Sequence, residues 1–144
     1  MALVVYLAQS DTTIGLLSKD SEKLNALKNR PKNQSVLIES ADFTTLKSLV
    51  RTPNAFKNLI RRSAKTTFIY PNSKAVRVVR GRHRDFLKRF KTLYSTSANL
   101  TQCAYDKEIA SKLADVIVSD ERGLFESSSS KMFRLYKDKK VRVR

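Results

Sequence analysis

Short apolar runs alternate along the chain with stretches whose apolar positions repeat every three to four residues. The apolar runs, rich in Val, Ile and Thr, predict buried strands because β-branched residues fit a pleated sheet. The predicted strands are Leu3–Leu7, Ser35–Glu39, Thr66–Tyr70, Ala75–Val79, Leu93–Ser97, Asp115–Val118, Met132–Tyr136 and Val141–Val143. The polar turn that follows the first run, with Gly15, predicts a loop.

The stretches with helical periodicity carry recognisable start signals. Asp20 or Ser21 is predicted to cap a helix through about Asn29, and Ser40 a second helix with Phe43 and Leu46 on its buried side. The remaining helices are predicted to begin at the Thr52-Pro53 pair, at Asp85 and at Asp106.

Irregular alternation of helices and strands predicts the fold class. The 144 residues, 41% of them hydrophobic, suffice for one domain with a core and are too few for two ordinary domains. We expect one α/β domain over residues 1–144: a twisted mixed sheet of about seven strands, flanked by helices.

Positive charge is concentrated in the middle of the chain. The net charge is +16, from 29 Lys and Arg against 13 Asp and Glu, and between Arg51 and Lys91 the only acid is Asp85. Such an excess indicates a polyanionic partner such as RNA, although a solvated, solubilising face is the alternative.

Several kinds of chemistry are disfavoured by composition. One cysteine, Cys103, and one histidine, His83, leave too few ligands for a zinc site, and a catalytic triad is not expected. We expect His83 to belong to the basic run around it. No apolar run reaches the roughly 18 to 20 residues of a membrane span, so a cytoplasmic protein without membrane contact is expected.

Polar clusters at predicted strand ends are the candidate binding residues, because open α/β sheets bind ligands there. These clusters are Ser10-Asp11-Thr12 and Ser95-Thr96-Ser97-Ala98-Asn99, although strand-end capping is an alternative explanation. Lys28-Asn29-Arg30-Pro31 offers a point charge and a planar fork to one polyanion, or alternatively stabilises a helix C-terminus.

The order of these motifs resembles that of the YrdC/YciO-like family of threonylcarbamoyl-AMP synthases. Thr96-Ser97-Ala98-Asn99 is the most specific match, Lys28-Asn29-Arg30-Pro31 matches the Lys-x-Arg-Pro element, and Asp11–Leu16 resembles the Thr-Asp/Glu-Thr-Val-Tyr-Gly-Leu segment. Looser matches are Thr67-Phe68-Ile69, Ala75–Val78, Ser129–Phe133 and Val141–Arg144.

The resemblance implies a nucleotidyltransferase with a basic concave groove, which forms threonylcarbamoyl-AMP and pyrophosphate from L-threonine, bicarbonate and ATP for tRNA modification. It implies Mg²⁺ brought in with ATP, without a dedicated protein site, and a partner protein that transfers the product to tRNA. Carried over by position, Lys28 and Arg30 would contact the phosphates. The other implied ATP or substrate contacts are Thr12, Thr67, Arg77, Ser97, Asn99, Ser130 and Arg144.

Two further hypotheses concern RNA. The run Arg80, Arg82, Arg84, Lys88 and Arg89 lies between the matched motifs, and we predict that it contacts tRNA or another RNA. The alternative to a synthase is a YciO-like protein that binds RNA or nucleotides without forming this product. It is favoured by Ile14 in place of the family's tyrosine, by Arg62–Lys65 in place of a Pro-Gly-Pro run, and by Lys131 in place of threonine. A purely structural basic protein would leave the Thr-Ser-Ala-Asn element unexplained.

Overall fold

The computed structural model describes residues 3–99, 105–118 and 122–144. These residues contain the strands β1 Tyr6–Gln9, β2 Ile14–Ser18, β3 Leu37–Ser40, β4 Thr66–Ile69, β5 Ala75–Val78, β6 Thr92–Ser97, β7 Val116–Ile117, β8 Lys131–Leu135 and β9 Lys140–Arg142. The helices are α1 Ser21–Leu27, α2 Phe43–Leu49, α3 Lys57–Arg62, α4 Arg82–Leu87 and α5 Lys107–Leu113, with a short 3₁₀ helix Asn54–Phe56 before α3. The predicted α/β class is confirmed, but the described residues contain nine strands rather than about seven.

The chain divides into two compact units, each built from two separate segments. Unit 1 comprises Met1–Val36 and Leu93–Ser129, and unit 2 comprises Leu37–Thr92 and Ser130–Arg144. The prediction of a single domain over residues 1–144 and that of a basic concave groove stay predictions.

Unit 1 is organised around the hairpin of β1 and β2. Strand β2 pairs antiparallel with β1 on one side and with β6 on the other, and β1 also pairs parallel with β7. Buried apolar side chains of this unit form one cluster, which consists of Val5, Leu7, Ile14, Leu16, Leu24, Val36, Ala98 and Ala110. The hairpin is therefore covered by later parts of the chain.

Unit 2 contains the strands in the order β3-β5-β4-β8-β9. Strands β3 and β5 are parallel, as are β4 and β8, whereas β4–β5 and β8–β9 are antiparallel. Phe68 of β4 stacks on Phe133 of β8 with ring centroids 6.2 Å apart, which packs one face of these strands.

Strand β2 contradicts the expectation of a loop around Gly15. All five of its residues are buried, so it shows none of the apolar–polar alternation by which a half-buried strand is recognised. Gly15 lies inside the strand, opposite Ser97 of β6. A β-carbon at Gly15 would lie 3.4 Å from the Ser95 hydroxyl, which leaves little room for a side chain.

Two helix starts also differ from the expected ones. Asp42, not Ser40, caps α2, and its carboxylate accepts a 2.7 Å hydrogen bond from the Thr45 amide that lowers the pKa of Asp42. Helix α4 begins at Arg82 rather than Asp85, because Gly81 adopts a left-handed φ of 82° that turns the chain into the helix. Asp20 caps α1 as predicted.

Candidate functional site

A compact hydroxyl cluster stands at the end of β1 in unit 1. Ser10 and Thr12 are buried, their hydroxyls lie 3.2 Å apart, and the Ser10 hydroxyl accepts a 3.1 Å hydrogen bond from the Thr12 amide. The Ser10 hydroxyl also donates to the Thr13 carbonyl. Part of the polar turn is thus a structural cap of the strand end, as the alternative explanation proposed.

Lys28, at the C-terminal end of α1, contacts the end of β6. Its side-chain ammonium donates a 2.9 Å hydrogen bond to the Ser97 carbonyl and another to the Asn99 carbonyl. Lys28 is buried, and the resulting desolvation, reinforced by the nearby Arg30, lowers its pKa to about 8. Three residues predicted to bind the nucleotide, Lys28, Ser97 and Asn99, are therefore brought together.

The backbone after α1 explains how Arg30 comes close to Lys28. Asn29 adopts a left-handed φ of 53°, and the Arg30 amide donates a 2.9 Å hydrogen bond back to the Asn25 carbonyl. The buried Asn25 side chain donates to the carbonyls of Lys32 and Gln34 and fixes the loop that follows. Two neighbouring cations repel each other, and an anion bound beside them would relieve that repulsion.

A second polar cluster lies within unit 2. The hydroxyls of Thr67 and Ser130, both buried, are 2.7 Å apart, although 63 positions separate these residues in the sequence. The Arg144 guanidinium donates to the Ser130 hydroxyl at 3.2 Å and to the Ser130 carbonyl at 3.0 Å. Partial desolvation and the nearby Arg77 lower the pKa of Arg144. Thr67 and Arg144 therefore both contact Ser130, and all three are predicted binding residues.

Arg77 takes part in a buried ionic cluster that the sequence did not indicate. Its guanidinium donates a 3.0 Å hydrogen bond to Glu39, and the same carboxylate oxygen lies 2.9 Å from Nε2 of His83. The side chains of all three residues are at most 5% exposed. Glu39 and Arg77 are direct cross-strand partners of β3 and β5. The prediction that Arg77 contacts ATP stays a prediction.

His83 differs from its expected place in the basic run. It is buried against Glu39, and its ring stacks on Phe86 at a centroid distance of 5.9 Å. The reason is the early start of α4, which turns His83 toward β3 instead of toward solvent.

The predicted RNA-binding run makes several contacts within the protein. The Arg80 guanidinium donates to the Arg61 carbonyl and lies 6.0 Å from the Phe43 ring centroid. Arg84 donates a 2.8 Å hydrogen bond to the Ala41 carbonyl, and Lys88 is 3.7 Å from the Asp85 carboxylate. Arg82 and Arg89 are exposed. The RNA contact of these five residues stays a prediction.

The serine-rich segment 127–130, which precedes β8, begins beside the end of β1. The Ser127 amide donates a 3.1 Å hydrogen bond to the Thr13 hydroxyl, and two positions earlier the Phe125 amide donates to the Gln9 side chain. This segment is thus held against the end of β1, within unit 1.

The described residues contain neither a group of metal ligands nor a membrane-spanning helix. Within residues 3–99, 105–118 and 122–144, no three His, Cys, Asp or Glu side chains are grouped so as to hold a metal ion. Across the same residues, no helix has the length and apolar character that crossing a membrane requires. Cys103 lies outside the described residues.

Solved structures of other proteins identify the fold, whereas the other comparisons find no match. No protein-family model matches the sequence, and no curated protein matches it significantly. Solved structures with the YrdC-like α/β fold do match, and the chain has that fold.

Three of these solved structures show how far the similarity extends. Sua5 of P. abyssi, solved in complex with L-threonine, has a TM-score of 0.81 at 16% identity over 98% of this chain and 50% of Sua5. YciO of E. coli has a TM-score of 0.75 at 18% identity, over 99% of this chain and 82% of YciO. MTH1692 of Methanobacterium thermoautotrophicum has a TM-score of 0.69 at 17% identity, over 99% and 79%. The chain thus spans about half the length of Sua5.

Proposed function

We propose that this protein is an L-threonylcarbamoyladenylate synthase, which joins L-threonine, bicarbonate and ATP. The observation that carries the proposal is the grouping of Lys28 and Arg30 with the strand end Ser97–Asn99. The YrdC-like fold, shared with a Sua5 that was solved with L-threonine, supports it. Lys28 and Arg30 would bind the ATP phosphates, and Ser97 and Asn99 would hold the adenylate.

The reaction needs positioning rather than a covalent nucleophile. The amine of threonine combines with bicarbonate to give a carbamate and water, and a carbamate oxygen then attacks the α-phosphorus of ATP. The new phosphorus–oxygen bond forms as the bond to the β-phosphate oxygen breaks, and pyrophosphate leaves. Cations beside the phosphates neutralise the charge that develops there, so Lys28 and Arg30 would supply much of the rate.

The remaining partners follow from this reaction. Mg²⁺ would be brought in with ATP and held by its phosphates rather than by a dedicated protein site. By the family resemblance, Thr12 and Thr67 would each contact threonine or the nucleotide, while Ser130, Arg77 and Arg144 would add hydrogen bonds and positive charge. The product would pass to a partner protein for transfer to tRNA.

A second function is favoured by one specific observation. Ile14, which replaces the tyrosine of the resembled motif, is 1% exposed in the core of unit 1 and so offers no hydroxyl to a substrate. This favours a YciO-like protein that binds RNA or nucleotides without forming threonylcarbamoyl-AMP.

One assay separates the two functions. Purified protein is incubated with ATP, Mg²⁺, bicarbonate and either L-threonine or L-alanine, and pyrophosphate release is followed. A synthase releases pyrophosphate with threonine and bicarbonate together, and omission of either abolishes the release. ATP binding by calorimetry without any threonine-dependent release would refute the synthase and support the second function.

The titration of Lys28 predicts how ATP affinity depends on pH. A bound phosphate favours the ammonium form and raises the pKa of Lys28 above its value of about 8 in the free protein. Binding should then take up a proton, and ATP affinity should be highest below pH 8 and fall as pH rises through and above 8.

This proton uptake is measurable by titration calorimetry at pH 8.5, in two buffers of different ionisation enthalpy. Lys28→Met should abolish the uptake, whereas Lys32→Met, which alters an exposed lysine of the same segment, should leave it intact. Equal proton uptake in wild type and Lys28→Met would contradict the assignment.

Asn99 should be needed for product formation but not for folding. Asn99→Ala removes a side-chain donor and keeps the main-chain carbonyl that Lys28 contacts, so we expect slower pyrophosphate release and a nearly unchanged melting temperature. If activity and melting temperature fell together, Asn99 would be a structural turn residue.

A further inference from the structure

Unit 2 has a pocket whose lining includes none of the residues assigned to ATP. Its volume is about 640 Å³, in the range of small-molecule and cofactor sites. The residues that line it come from α2, the 3₁₀ helix and α3, the segment between α2 and the 3₁₀ helix, and the turn between β4 and β5.

The floor of this pocket is apolar. Leu46, Val50 and Ile60 are buried beneath it, and Phe43 and Leu49 are half-buried at its wall. The Asn72 side chain donates a 3.2 Å hydrogen bond to the Leu49 carbonyl, which ties the β4–β5 turn to the end of α2. The pocket is therefore already formed in the protein without a ligand.

The rim of the pocket is cationic. Lys47, Arg51, Lys57 and Arg61 line it, all four are exposed, and the described residues that line the pocket include no Asp or Glu. The sequence explains why, because positions 43–84 contain 11 Lys and Arg and no acid. No acid from these elements can neutralise the rim, so its charge is available to phosphates.

An apolar floor beneath a basic rim is complementary to one nucleotide of an unpaired strand. The base can pack on the floor, where Asn54 and Thr52 line the pocket with polar side chains, while the backbone phosphates meet the rim. A polymer suits the site better than a free nucleotide, because exposed cations continue beyond the rim at Arg62, Lys65 and Lys74.

We propose that this pocket binds an unpaired nucleotide within a single-stranded nucleic acid, through the base on the apolar floor and the flanking phosphates on the four rim cations. Arg80 does not line the pocket but contacts two residues that do, through the Phe43 ring and the Arg61 carbonyl. This binding is independent of the proposed synthesis of threonylcarbamoyl-AMP.

The test uses labelled oligouridylate and its deoxy counterpart, with fluorescence anisotropy measured over a series of salt concentrations. Lys57→Glu/Arg61→Glu should weaken oligouridylate binding at least about tenfold, and the log–log salt slope should fall by roughly 0.7 for each lost phosphate contact. Lys107→Glu/Lys112→Glu, the same charge change on exposed positions of α5, is the matched control and should retain nearly all of the affinity.

Charge-neutral variants and folding controls extend this test. Lys57→Gln/Arg61→Gln should show the same direction of change, and all variants should keep their melting temperature and any pyrophosphate release. A comparison of the two oligomers decides whether RNA or DNA is preferred. An equal loss in the α5 control, no loss in either pocket variant, or competition by AMP as effective as that by the oligomer would overturn the proposal.

Discussion

Arg77→Met is expected to lower the free energy of unfolding by about 3 to 5 kcal/mol, the cost of removing the charged partner of a buried carboxylate. Arg77 lies 3.0 Å from the Glu39 carboxylate, and the side chains of both residues are almost completely excluded from solvent. Methionine fills much of the same volume and removes the charge, so the loss reports mainly on the electrostatics.

Urea denaturation at neutral pH measures this loss. Arg134→Met, the same change at an exposed position of β8, should shift the free energy of unfolding by no more than about 0.5 kcal/mol. Adding Glu39→Gln to Arg77→Met should recover part of the stability, because it removes the charge left behind. If the free energy of unfolding fell by less than about 1 kcal/mol, water or other groups would have to compensate the negative charge of Glu39. That result would contradict the burial of this carboxylate.

Lys28→Met should weaken ATP binding by about 1.5 to 3 kcal/mol, the range of a hydrogen bond to a charged group. The ammonium of Lys28 already donates to the carbonyls of Ser97 and Asn99, so the substitution also loosens the end of β6 from α1. The free energy of unfolding should change by less than the free energy of ATP binding. The substitution removes a buried ammonium, and with it the desolvation cost that lowers the pKa of Lys28.

Calorimetry gives the ATP affinity, and thermal melting in the absence of ATP gives the structural effect. Lys32→Met is the matched control, because Lys32 is an exposed lysine of the same loop whose salt-bridge partner is Glu22. A large drop in melting temperature with unchanged ATP affinity would show that Lys28 only fastens the strand end.

Local signals in the sequence were sufficient for much of the fold. Asp20 precedes an apolar periodicity and caps α1 as predicted, and the turn Pro71-Asn72-Ser73 separates β4 from β5. Strand β2 was missed because complete burial removes alternation. The start of α2 was misplaced because Ser40 and Asp42 are both good caps, and only the structure shows which one accepts the Thr45 amide.

The candidate site could also be predicted only in part from the sequence. The motif residues Lys28, Ser97 and Asn99 were identified, but not their contacts, because main-chain carbonyl acceptors have no residue signature. The Glu39–Arg77–His83 cluster was missed, since pairing a strand acid with an arginine 38 positions later requires the register of β3 and β5. The stretch without acids was a visible signal for the second pocket, but the sequence could not show its apolar floor.

The discontinuous make-up of unit 1 has a consequence for synthesis on the ribosome. The Val5 amide donates a hydrogen bond to the carboxylate of Asp115, which lies 110 positions later in the sequence. Strand β7, which follows Asp115, pairs with β1. Because translation adds roughly 5 to 20 residues per second, Asp115 and β7 are synthesised on the order of 10 s after the β1–β2 hairpin. Leu7 and Leu16, fully buried in the finished protein, lack the part of their cluster that Ala98 and Ala110 supply during that interval. Elongation is therefore a stage at which this chain exposes apolar surface, and at which a chaperone that holds short apolar hairpins would raise the yield.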